Sequence, residues 1–132
     1  MLRCGQQFWF ALLVMALGCD SGPEKTALRG QVSYKGKAIE RGTIDFIPVD
    51  GTGGPSATSS ITNGQYEVVP ERGARVEGIY TVRIIGLKKS GRMFRGHETE
   101  DNFIPETYNS RSTLKVKIAD LPDKTKADFQ LR

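Results

Sequence analysis

A chain of 132 residues has room for one domain and a leader, because single cores are built from roughly 100 to 150 residues, and a second domain is not expected. Its 19 basic and 15 acidic residues give a net charge of +4 that is interspersed along the chain, not gathered into a basic arm, which argues against nucleic acid as a partner. Fifteen Gly and six Pro among short runs of Val, Ile, Thr, Tyr and Phe favour strands and turns, and both cysteines, Cys4 and Cys19, precede residue 20, so the body holds no thiol for a disulfide or a Cys-based metal site.

The amino terminus has the anatomy of a signal peptide over residues 1–18. Met1 to Arg3 supply one positive charge, and Phe8 to Leu17 form an uninterrupted apolar run of ten residues. As a helix such a run covers about 15 Å, half of the roughly 30 Å of hydrocarbon that a spanning helix must cross. The next landmark, Met15-Ala16-Leu17-Gly18-Cys19, resembles the lipobox of bacterial lipoproteins, with Leu17 where a small residue is usual. That resemblance implies cleavage after Gly18, whose small size lets a peptidase approach, and lipidation of Cys19, whose thiol takes a diacylglyceryl group as a thioether. Two or three acyl chains at about 0.8 kcal/mol per buried CH₂ would hold the product firmly on a membrane. Residues 19–27 are expected to form a flexible tether, small, polar and broken by Gly22-Pro23, with an r.m.s. span of about 16 Å.

From Leu28 onward period-two alternation predicts strands. Leu28, Gly30, Val32 and Tyr34 share one face, and a turn follows at Lys35-Gly36-Lys37. Thr43 to Val49 places Ile44 and Phe46 together, and Pro48, lacking an N–H, marks an edge or the end of that strand. Gly51 to Pro55 breaks the chain, Ser56 to Thr62 reads as a polar edge strand, and Asn63-Gly64 predicts a type I′ hairpin turn into a return strand with Tyr66 and Val68 inward. Ile79 to Ile85 is the most β-prone run and is expected at the centre of a sheet. Leu114, Val116 and Ile118, then Ala127, Phe129 and Leu131, supply two more strands. Residues 28–132 are therefore expected to be an all-β domain, a seven-stranded two-sheet Greek-key sandwich.

The order of landmarks is similar to that of the carboxypeptidase regulatory-like, transthyretin-like β-sandwich domain of short bacterial lipoproteins. It is carried by Gly30 to Ile39, by Gly42 to Pro48 (with Ala38 where Pro is usual before them), and by Thr62-Asn63-Gly64-Gln65-Tyr66. Gly78 to Val82, Pro105-Glu106-Thr107-Tyr108, Leu114-Lys115-Val116 and Asp128 to Leu131 complete it. The resemblance implies a fold and an accessory or adhesive role at the cell envelope, with no catalytic residues and no cofactor. The purine-pathway hydrolases related to transthyretin look as if they need more than one His, an Arg and a Tyr-Arg-Gly-Ser terminus, whereas this chain has only His97 and ends Phe129-Gln130-Leu131-Arg132.

Residues 88–106 show no clear element, and a loop of that length is either functional or disordered. Lys88, Lys89, Arg92 and Arg95 read either as a solvated loop or as a contact with anionic lipid or envelope polymer, and with Met93 and Phe94 they are the candidate contact residues for an envelope protein or polymer, besides the membrane that holds the lipid. Phe103 and Ile104 either join that patch or cover the sandwich. The alternative is a small envelope enzyme or metal-dependent factor using His97 with Glu98, Glu100 and Asp101. A single His on a Gly-rich segment lacks the fixed geometry zinc requires, and there is no G-x-S-x-G elbow and no phosphate-cradling loop.

Overall fold

The computed structural model describes residues 24–132, and the expected signal peptide, Gly18 and Cys19 lie outside the described residues. The described part is all-β. Its eleven strands are β1 (Lys25–Thr26), β2 (Leu28–Tyr34), β3 (Lys37–Ala38), β4 (Arg41–Val49), β5 (Ala57–Thr62) and β6 (Gln65–Val68), followed by β7 (Ala74–Arg75), β8 (Ile79–Phe94), β9 (His97–Asn102), β10 (Lys115–Lys117) and β11 (Phe129–Leu131). Three short 3₁₀ turns link them. The four extra strands, β1, β3, β7 and β9, are two-residue pieces or lie where the sequence shows no alternation, which is why seven were expected.

The main sheet runs β10-β8-β4-β5-β6-β2-β11, with β3 added to β2 and β9 added to β8. Its pairings are antiparallel except that β11 lies parallel to β2. The sheet is nearly divided at one place. β5 and β6 share a single pair, Thr62 with Gln65, across the Asn63-Gly64 turn, and beyond it the strands splay. There the Ser59 hydroxyl stands in for ladder bonds, donating to the Glu67 carbonyl at 2.9 Å and accepting from the Glu67 N–H at 3.3 Å. The expected edge strand is thus fully paired only on its β4 side.

Curling at this seam brings the two halves face to face. Phe46 of β4 packs against Tyr66 of β6 and Phe129 of β11, with ring centroids 5.8 and 6.1 Å apart. Leu28, Val32, Ile44, Ile61, Val82, Ile84 and Ile118 fill the remaining interior. Every buried apolar residue of the described part lies between Leu28 and Leu131, so the core is closed within this unit. The turns follow the expected chemistry: Lys35-Gly36 and Asn63-Gly64 both have positive φ at both positions, the type I′ geometry that matches strand twist. Pro48 sits one residue before the end of β4, beyond the last β5 pair at Phe46 with Ala57.

The domain also reaches back into the stretch expected to be tether. Lys25 and Thr26 pair with Arg75 and Ala74, and the Val76 N–H donates to the Glu24 carbonyl at 3.0 Å. Two backbone pairs at a buried Ala74 outweigh the polar composition that predicts a free segment.

Candidate functional site: a projecting hairpin

The stretch expected to be a loop is a β-hairpin. β8 is sixteen residues long; its first half is a central strand, flanked by β4 and β10, and its second half runs out of the sheet with β9 as its only partner. Alternation fails as a signal here because both faces of the ribbon are wet, so no apolar face is selected.

The base of the hairpin is pinned to the core. The Phe103 N–H donates to the Gly86 carbonyl at 3.0 Å, and the Asn102 side-chain oxygen accepts from the N–H groups of Gly86 and Ile104 at 3.2 and 3.0 Å. Gly86 has to be glycine, because a Cβ there would stand 2.8 to 2.9 Å from Ile104 and the Phe103 ring. Ile104 is buried and Phe103 packs on the core and against Tyr34, so these two cover the sandwich and do not join Met93 and Phe94. Asn109, buried below them, donates to the carbonyls of Ile104 and Pro105 at 3.1 and 3.0 Å.

The middle of the hairpin is a ladder of opposite charges. Arg92 pairs with Asp101 at 2.6 Å, Lys89 with Glu98 at 3.6 Å, and Arg41 reaches across from β4 to the Glu100 carboxylate. The register then jumps: Lys89 faces Glu100 but Met93 faces Glu98, so β8 carries two extra residues. This bulge is held by polar contacts, Ser90 with Thr99 at 2.6 Å and the Gly91 N–H donating to Glu98 at 3.0 Å, with Gly91 at φ +75°.

Beyond the bulge lies the tip. Phe94 faces His97 across a two-residue turn, Arg95 at φ 49° and Gly96 at φ 82°. Met93 and Phe94 are 68% and 63% exposed, and with Val69 they are the large apolar residues that the described part leaves in water. The Arg95 guanidinium sits 5.3 Å from the centre of the Phe94 ring, and the Lys88 ammonium 5.8 Å from that of Phe103. Neither cation is in an ion pair with a carboxylate of the described residues.

Lys88, Lys89, Arg92, Met93, Phe94 and Arg95 are therefore gathered on one arm, along the distal half of β8 and its turn. His97 is exposed at the same tip. Its acidic neighbours are engaged elsewhere, each with a cation, and no group of three or more His, Cys, Asp or Glu stands together as a metal-binding set among the described residues. Residue-level reasoning missed β9 and the turn. The available signal was Gly96 between β-capable flanks, masked because Arg at the first turn position lacks the Asn or Asp that announces a type I′ turn.

The arm and the chain entry stand at opposite ends of the domain. Glu24 lies beside Val76, next to the start of β8, whereas the tip follows its last residue; sixteen extended residues span at most about 50 Å. Compared with known protein families, with characterised proteins and with solved structures, the chain matches none.

Proposed function

We propose that this chain is an exported lipoprotein, anchored to a membrane through acyl chains on Cys19, whose β-sandwich is a non-catalytic contact module of the cell envelope. The sandwich is read as Greek-key and as carboxypeptidase regulatory-like and transthyretin-like. Four strands, β10-β8-β4-β5, face three, β6-β2-β11, and the chain changes halves between β2 and β4, β5 and β6, β6 and β8, and β10 and β11, which supports that reading.

The observation that carries the functional proposal is the arm: a charged ribbon, fixed at its base, that holds two large apolar side chains in water at the end farthest from the chain entry. Such residues at a rigid protrusion mark contact with a partner. Anchored at one end and reaching from the other, the module would act at a distance from its own lipid.

A photo-crosslinking amino acid placed at Phe94, with Lys124 as a control position, tests this in cells. The proposal expects a discrete adduct from position 94 and none from 124. Equal products from both, or none from either, would remove its support.

A further inference from the structure

We infer that the tip of the arm is a wedge for an anionic lipid surface, one facing the surface that holds the Cys19 anchor. This rests on the reading of the hairpin as a contact arm and names its partner.

The tip is convex, so it enters its partner and does not receive it. From Met93 to His97 it presents Met93, Phe94 and the Arg95 guanidinium and no carboxylate, while Arg92 just behind them is held by Asp101. The first acid along the chain, Glu98, is already held by Lys89 and by the Gly91 N–H. Apolar side chains beside an arginine that holds no carboxylate suit a bilayer interface: the Phe and Met side chains leave water at the acyl boundary while the Arg95 guanidinium meets a phosphate. Arg95 stacks on Phe94, which places planar donors for a phosphate beside the ring that would enter the boundary.

Charge also argues against a second copy of this chain as the occupant. The hairpin has two free strand edges, cationic along β8 at Lys88, Lys89 and Arg92 and acidic along β9 at Glu98, Glu100 and Asp101. Twofold pairing of β8 with β8, or of β9 with β9, sets like charges opposite one another. A bilayer needs only the tip.

The test uses residues 24–132, the unit with its own closed core, on vesicles of phosphatidylcholine alone and of phosphatidylcholine with phosphatidylglycerol. Co-sedimentation is expected only with phosphatidylglycerol present, and it should weaken as salt rises. Met93→Ser with Phe94→Ser should lower the partition coefficient about tenfold or more, Arg95→Gln about fivefold, and Lys124→Gln by about twofold at most. Trp9, the chain's one tryptophan, is outside this unit, so Phe94→Trp reports the tip alone, and its emission should shift to the blue on anionic vesicles. The changed side chains are exposed, so unaltered urea midpoints are expected and serve as the folding control.

No binding to anionic vesicles, binding that survives the double serine change, or an unshifted emission would overturn the inference. If vesicles fail while the cross-link from position 94 yields a protein adduct, the arm reading stands with a protein as its partner. If both fail, both fall.

Discussion

Phe46 and Tyr66 stand with ring centroids 5.8 Å apart and planes tilted by 44°, and this contact joins halves of the sheet that share almost no hydrogen bonds at the seam between β5 and β6. Phe46 is fully buried and also meets Phe129. Phe46→Ala should therefore cost about 3 to 5 kcal/mol, read as a lower urea midpoint with an unchanged slope. A loss below about 1 kcal/mol would mean that the halves are held by something else.

Two glycines separate steric need from backbone need. A Cβ at Gly30 would sit 2.0 Å from the Ala127 carbonyl oxygen, where β2 and the last strand approach, whereas at Gly91 it would meet nothing within 4 Å although φ is +75°. Gly91→Ala should strain only the ribbon, by about 1 to 2 kcal/mol for a left-handed alanine, and leave the global unfolding midpoint nearly unchanged. Gly30→Ala should cost more, because backbone must move. Equilibrium unfolding of the two variants gives the order.

The Tyr66 hydroxyl, buried beneath β11, donates to the Ala127 carbonyl at 2.5 Å. Burial raises its pKa well above the ordinary value, and the nearby Asp128 charge raises it further. A group whose folded pKa is raised contributes stability that is whole below the unfolded value, about 10 for tyrosine, and is lost as pH climbs toward the folded value. Stability should thus decline above about pH 10 through this residue. Tyr66→Phe should cost about 0.5 to 1.5 kcal/mol at neutral pH and make that alkaline decline shallower, which unfolding curves between neutral and alkaline pH will show.

Where a strand of the main sheet alternates buried and wet residues over several positions, the sequence carries its place. Ile44 with Phe46, Tyr66 with Val68, and Phe129 with Leu131 alternate inward as their spacing predicts, and Asn63-Gly64 turns as that pair must. The hairpin escaped for the same reason in reverse: with water on both faces, Lys88 to Phe94 has no period to show, and the bulge at Gly91 breaks what register remains. The contact residues were legible as residue types, a cluster of cations beside Met93 and Phe94, but their rigid projection depends on Gly86, Asn102 and Ile104, which meet only in three dimensions.

Because no buried residue lies between Gly86 and Ile104, the arm should be dispensable for folding. Replacing residues 88–101 by Asn-Gly, so that a two-residue turn joins Leu87 to Asn102, removes exposed ion pairs, each worth about 0 to 1 kcal/mol, together with the ribbon's own hydrogen bonds and the Lys88 contact with Phe103, all at the surface. The trimmed domain should keep its thermal midpoint within a few degrees in scanning calorimetry. A large drop would show that the ribbon supports the core.

Attachment to the membrane through Cys19 is the claim on which the placement of this module depends. Metabolic labelling of the full chain with a fatty-acid analogue, for the native sequence beside Cys19→Ala, tests it most directly. The account predicts label on the native protein, recovery from membranes only with detergent, and neither in the variant. An unlabelled native protein, or label that persists without Cys19, would contradict it.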